Sequence, residues 1–180
     1  MNTPHALPIL LALTWLSAVR AVGGDVPLRH SQDWVRSRLS QMLACDEAYL
    51  YNDVLGGRAI HQNSFSKPCP TEAWEGNFHT QQQAYYALIK MELYDLDGRS
   101  ADRLLDEAHE LLAWVLRHGY DAADPHFYLK YSTKTGAWEK GFFPEFNMIT
   151  VAALLIYDQY RPNPEWRAVA EKVLARIVAT

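Results

Sequence analysis

Apolar residues recur at helical spacing in five stretches of the chain. Two of these stretches, near 80–95 and 145–160, are apolar on most of their circumference, whereas the other three are amphipathic. A helix that is apolar nearly all round is normally covered by protein on both sides. The pattern therefore predicts an all-α fold with two inner helices, accompanied by outer helices at 31–43, 101–119 and 165–178.

The two inner stretches belong to a repeated unit. The segment "TEAWEGNFHTQQQAYYALIKMELY" begins at Thr71, and "TGAWEKGFFPEFNMITVAALLIYDQY" begins at Thr135, so that Trp74 and Trp138 lie 64 positions apart. Within them, "ALIKMELY" aligns with "ALLIYDQY". Each unit reads as a long loop, an inner helix, a tight turn and an outer helix. Units of this kind stack into a solenoid or close into a toroid of helical hairpins.

The long loops carry a second, shorter pattern. "HFYLKYSTKTGAWE" has the alternation of two short strands around a turn at Thr135 and Gly136. The earlier "CDEAYLYNDVLGG" resembles it, which makes the first helix the outer helix of a preceding, incomplete unit. We interpret the repeated Ala-Trp-Glu as a return strand that leads into each inner helix.

The first residues have the pattern of an export signal. "ALPILLALTWLSAV" is a short apolar run that ends at Val19, and Val19 and Ala21 stand at the small-residue positions that a signal peptidase recognises, although a Lys or Arg is missing before the run. The alternative is a buried N-terminal helix. We expect a signal peptide at 1–21, a single helical-hairpin domain at 22–180, and a secreted or periplasmic protein that is not bound to a membrane after cleavage.

Charge and composition narrow the function. A formal net charge of −4 and a pI near 5.9 predict no nucleic-acid partner. The histidines and cysteines lack metal-site spacing, so we expect neither a metal nor a cofactor. In an exported chain Cys45 and Cys69 are expected to form a disulfide, and two buried free thiols are the alternative.

The segment "DPHFYLKYSTKTGAWEKG", with "ALLIYDQYRPNPEWRAVAEKVLARI" after it, resembles the repeat of the six-hairpin glycosidase-like superfamily. The order and spacing of its loop, helix and turn segments are most similar to those of the N-acylglucosamine 2-epimerase and cellobiose 2-epimerase branch. The resemblance implies helical hairpins around an axial sugar-binding cleft, present here as a partial α/α toroid with small β-turn loops. In "QQAYYAL", Gln83 matches that branch, but Tyr85 replaces its sugar-facing arginine, so a complete epimerase is not expected.

In such a toroid, the loops and the starts of the inner helices line the cleft. Two carboxylates can flank a glycosidic bond, and a His–Glu pair can move a proton. The alternative for each residue is a helix-capping or packing role. The candidate catalytic residues are Glu75, His79 and Glu139, and the candidate substrate-binding residues are Gln83, Tyr85, Glu145 and Asn147.

These features predict an exported carbohydrate-active or carbohydrate-binding domain with a mono- or oligosaccharide partner. An enzyme of this kind would be a glycoside hydrolase or a sugar epimerase. The alternative is an exported helical-repeat scaffold that binds a peptide or protein. In a partial toroid, the unclosed helical edge would also favour self-association.

Overall fold

The computed structural model describes residues 31–49, 51–60 and 76–179. These residues contain five helices, which confirms the all-α, helical-hairpin prediction. The helices are α1 (Gln32–Tyr49), α2 (Thr80–Leu96), α3 (Asp102–Gly119), α4 (Pro144–Tyr160) and α5 (Pro164–Val178).

Helices α2 and α4 are the inner pair, as predicted. They pack side by side, while α3 packs behind α2, α5 packs behind α4, and α1 lies against α2. The shared core is formed mainly by residues of α2, α3 and α4, with Tyr86, Leu112 and Leu154 almost fully buried at its centre. The two hairpins are therefore consecutive copies of one packing unit.

The repeat register differs from the sequence alignment by two positions. Helices α2 and α4 have the same length and start 64 positions apart, at Thr80 and Pro144. Ala87 therefore corresponds to Val151, and not to Ala153 as the alignment of "ALIKMELY" with "ALLIYDQY" predicted. That alignment was wrong because small and aliphatic residues recur so often in both helices that letter matches do not fix a helical register.

Short strands precede each inner helix and connect the two hairpins. They are β1 (Tyr51–Val54), β2 (Gly57–Ile60), β3 (Asn77–His79), β4 (Tyr120–Asp121), β5 (His126–Phe127), β6 (Lys130–Ser132) and β7 (Ala137–Glu139). Strands β6 and β7 form the predicted hairpin, and Gly136 in its turn has a φ of +64°. The sequence did not reveal that β3, which leads into α2, pairs with β6 and completes a three-stranded antiparallel sheet.

Local signals account for most of the helix starts. The Ser31 hydroxyl accepts a hydrogen bond from the Trp34 amide, as an N-cap should, and Asn163 caps α5 in the same way through Trp166. At α3, Ala101 occupies the N-cap position and provides no side-chain cap, while the Ser100 hydroxyl donates to the Asp97 carbonyl.

Gly119 allows α3 to end against the sheet. A Cβ atom at this position would lie 2.6 Å from the Thr80 methyl group and 3.3 Å from the Trp138 ring. A larger residue would require the buried Thr80 side chain to shift, so this glycine permits the close approach of the end of α3 to the start of α2.

Several predictions fall outside the described part of the chain. These are the signal peptide at 1–21, Glu75 and Cys69, and the side chain of Cys45 is likewise not described. Among the described helices, none has the length and apolarity needed to cross a membrane.

Candidate functional site

Gln83 is a structural clamp at the first turn of α2. Its side-chain amide accepts a hydrogen bond from the Ile60 amide at 2.7 Å, and it donates to the Ile60 and His79 carbonyls at 2.7 and 3.1 Å. The residue is fully buried. These contacts attach the end of β2 to the beginning of the inner helix.

Asn147 makes the equivalent contacts in the second unit. Its amide accepts from the Phe127 amide at 2.6 Å and donates to the Phe127 and Phe143 carbonyls at 3.3 and 3.0 Å. A ligand could bind the amide of Gln83 or Asn147 only by displacing buried backbone partners. The site proposed below therefore does not include these two predicted sugar-binding residues.

Three polar residues form a row across the three-stranded sheet. His79 on β3 is directly paired with Lys130 on β6, and Lys130 is paired with Glu139 on β7. Directly opposed residues in antiparallel strands project from the same face of the sheet. The structure thus brings together His79 and Glu139, the two predicted catalytic residues that it describes, and places the Lys130 ammonium group 3.3 Å from the Glu139 carboxylate.

The His79 ring has unused hydrogen-bonding capacity. Both ring nitrogens are buried, and neither has a hydrogen-bond partner among the residues that the structure describes. Burial lowers the pKa of His79 to about 4, helped by the positive charge of Lys130 and opposed by Glu139. The ring is therefore neutral at pH 7, with one nitrogen as a donor and the other as an acceptor.

Two glutamines in the first turn of α2 have similar unpaired atoms. The Gln81 side-chain oxygen and the Gln82 side-chain nitrogen are buried without a partner among the described residues. Gln82 is only 4% exposed. Because a buried polar atom without a hydrogen bond costs about 1–3 kcal/mol, such a concentration at one helix start is a feature that requires an explanation.

The opposite face of the sheet is aromatic and serves packing. Phe78, Tyr131 and Trp138 alternate with the polar row, and Phe78 is 2% exposed. The ring of Trp114 on α3 lies 6.3 Å from Phe78 and 5.6 Å from Trp138. These aromatic residues attach the sheet to the outer helix, so they are not available as a stacking surface for a ligand.

The two other predicted site residues are on helices and not on the strands of the row. Tyr85 is half-buried on α2, where burial raises its pKa, and Glu145 is exposed in the first turn of α4. Neither is part of the sheet. The described residues contain no group of three or more potential metal ligands.

Similarity to known proteins was found in three-dimensional structure and not in sequence. No family model matches the chain, and no curated protein matches it. Among solved structures, it resembles a family 76 glycoside hydrolase from a bovine Bacteroides thetaiotaomicron strain, with a TM-score of 0.62, 17% identity, and coverage of 74% of this chain and 28% of the other.

Two further structures give the same result. An α-1,6-mannanase of Salegentibacter in complex with α-1,6-mannotriose has a TM-score of 0.62 and 14% identity, covering 82% of this chain and 39% of the other. An α-mannanase of Bacteroides thetaiotaomicron has a TM-score of 0.59 and 19% identity, covering 76% and 34%. The chain has an all-α fold of repeated helical hairpins, like part of these α/α-toroid structures. It spans about a third of the length of these enzymes, and the likeness shows the fold alone. The epimerase branch gains no support from these structures.

Sequence reasoning missed Lys130 and the two glutamines. Lys130 stands in a strand that the sequence predicted, but its role depends on the pairing with β3, which joins segments about 50 residues apart. The run of three glutamines at 81–83 was visible, yet periodicity does not say which of them is engaged by the backbone.

Proposed function

We propose that this chain is a carbohydrate-binding domain that holds a neutral sugar at the start of inner helix α2, beside the row of His79, Lys130 and Glu139. The observation that carries the proposal is the neutral imidazole of His79, whose two buried ring nitrogens have no hydrogen-bond partner among the described residues. A neutral donor and acceptor on one rigid ring are matched by adjacent hydroxyl groups, each of which can donate and accept.

The charged pair beside His79 fits the same class of ligand. Lys130 and Glu139 lie close enough to neutralise one another, with side chains that are 31% and 51% exposed. The ammonium group donates hydrogen bonds and the carboxylate accepts them, so together they can bind further hydroxyl groups without favouring a net ligand charge. A strongly anionic ligand would have to compete with Glu139 for Lys130.

The structural neighbours support a saccharide and suggest a probe. The Salegentibacter mannanase was solved with α-1,6-mannotriose and, in a second structure, with α-1,6-mannotetrose. Those proteins are inactive variants in which two successive aspartates are replaced. Since no two aspartates are adjacent in these 180 residues, the proposal is sugar binding and does not extend to hydrolysis by such a pair.

The protein scaffold alternative is not favoured, because the polar atoms at the start of α2 that lack a partner among the described residues match hydroxyl groups better than they match an apolar peptide face. Export stays an expectation from the N-terminal sequence.

The test is calorimetric titration of the folded protein with α-1,6-mannotriose, mannose, glucose and glucuronic acid. We expect binding of neutral sugars, weakened at least tenfold in His79→Phe, which keeps a planar ring but removes both nitrogens. His118→Phe is the matched control, because His118 lies on α3 beside Trp114, on the aromatic side of the sheet. Absence of binding at millimolar sugar, or an equal loss in both variants, would overturn the proposal.

A further inference from the structure

A groove runs along the outer surface of α3, away from the row at His79. His109, Ala113 and Arg117 are spaced four residues apart, and they form a continuous line along this helix. Cavities of about 510, 400 and 400 Å³ open along the line, and all three are lined by His109. The β1–β2 hairpin forms one wall of the groove, and α5 with the preceding turn forms the other.

His109 gives the groove a rigid aromatic surface. Its ring stacks on the Trp166 indole, with a centroid distance of 4.6 Å and an interplanar angle of 16°, and its Nδ1 lies 3.1 Å from the Tyr157 hydroxyl oxygen. One ring face is thus covered, while the residue as a whole is exposed. Burial, together with Arg161, lowers the pKa of His109, so the ring is neutral at pH 7.

Charged groups of both signs are available in the groove. Glu110 and Arg117 are exposed and form no hydrogen bond or ion pair with the described residues. They stand seven positions apart on the helix, which places their Cα atoms about 10 Å from each other along one face. Asp53 from the hairpin wall and Glu165 from the α5 wall are likewise exposed and unpaired in the described part of the chain.

We propose that this outer groove is a second binding site, which takes a neutral polyhydroxylated ligand such as a mono- or oligosaccharide. The exposed carboxylate of Glu110 accepts hydrogen bonds from hydroxyl groups, the guanidinium of Arg117 donates to them, and the open face of His109 packs against the C–H face of a sugar ring. The groove is lined by carboxylates as well as by a guanidinium group, which disfavours a polyanion or a polycation.

This site is independent of the proposed function, because its residues lie on the outer helix and none belongs to the sheet row. The two sites can therefore be separated with variants. His79→Phe removes the sheet-row nitrogens and leaves the groove unchanged, while Glu110→Gln and Arg117→Met alter only exposed groups of the groove. Glu171→Gln, on the exposed surface of α5, is the matched control.

The experiment is an amide nitrogen–proton NMR titration of the whole chain with α-1,6-mannotriose and with methyl β-glucopyranoside. We expect the amide signals of His109, Ala113 and Arg117 to shift at millimolar sugar in the wild type and in His79→Phe. The groove affinity should fall at least fivefold in Glu110→Gln and in Arg117→Met, and stay unchanged in Glu171→Gln. Shifts confined to the surroundings of His79, or groove shifts that are unaffected by both groove variants, would overturn this second site.

Discussion

The side-chain amides of Gln83 and Asn147 make the same three backbone hydrogen bonds at positions 64 residues apart. Each amide holds the N–H and C=O groups of one incoming strand residue, together with the carbonyl four positions earlier at the helix N-cap. The two residue types differ by one methylene group, yet the geometry is retained. The repeat therefore preserves a connection between strand and inner helix, and the chemistry of the loop can vary around it.

Replacing either amide should destabilise the fold without a specific effect on ligand binding. In Gln83→Leu the Ile60 amide and carbonyl lose their partners in a buried environment, which should lower the free energy of unfolding by about 2–4 kcal/mol. Asn147→Leu should lower the free energy of unfolding by a similar amount, because the Phe127 amide and carbonyl then lose their partner. Urea denaturation measures this effect, with Gln159→Leu on the exposed side of α4 as the control. A change below about 0.5 kcal/mol in either clamp variant would contradict the assigned role.

A buried ion pair joins the first inner helix to its outer helix. Lys90 is 1% exposed, and its ammonium group lies 2.6 Å from the Glu107 carboxylate. Glu107→Leu should cost about 3–5 kcal/mol, because it leaves a buried charge without its carboxylate. The equivalent position in the second unit is the buried Leu154, which shows that an apolar side chain fits there.

The double variant Lys90→Leu/Glu107→Leu should therefore recover most of that loss. Arg103→Ala, which removes the exposed second partner of Glu107, should cost less than about 1 kcal/mol. Thermal and urea unfolding of the three variants measure the differences. A double variant as unstable as Glu107→Leu alone would show that the pair is required for packing and not merely tolerated.

The low pKa of His79 makes stability depend on pH in a defined direction. Its pKa is about 4 in the folded chain, against an ordinary value of 6.5 for a histidine side chain, so the unfolded chain takes up the proton first as the pH falls. Above pH 6.5 the full stabilisation is present, because His79 is neutral in both states. As the pH falls from 6.5 to 4, the proton uptake of the unfolded chain lowers the free energy of unfolding by about 2–3 kcal/mol.

The measurement is the free energy of unfolding at several pH values for the wild type and for His79→Phe. His109 and His118 also have lowered pKa values and contribute in the same direction to both proteins, so the difference between the two curves isolates His79. Parallel curves across this range would mean that His79 is not held neutral by the fold.

The helices could be predicted from the sequence because their signals are local. The apolar inner stretches, the cap at Ser31, and the breaks before Asp102 and Pro164 all act within a few residues. The observed bounds of α2 to α5 agree with the expected ones to within one residue, but α1 continues to Tyr49, well beyond the expected end at position 43. The register of the repeat could not be read in the same way. It is fixed by the contacts of Gln83 and Asn147 with strands that lie about 20 residues away in the sequence.

The candidate site was predicted only in part. The sequence singled out His79 and Glu139 separately, as residues of successive units, and it did not predict the strand pairing that brings them together. It also could not separate Gln83, whose amide is bonded to the backbone, from Gln81 and Gln82, which have side-chain atoms without a partner among the described residues. All three share one helical turn. Only the path of β2 decides which of them is engaged, and that path is a long-range property.

The most direct test of the central claim is nitrogen-15 NMR of the His79 imidazole at pH 7, with and without α-1,6-mannotriose. In the free protein, the nitrogen-15 chemical shifts should show that one ring nitrogen is protonated and the other is not. Both chemical shifts should change when the sugar binds. His118 serves as the internal reference and should not respond. An imidazolium signal from free His79, or sugar binding that leaves the His79 nitrogens unchanged, would contradict the account.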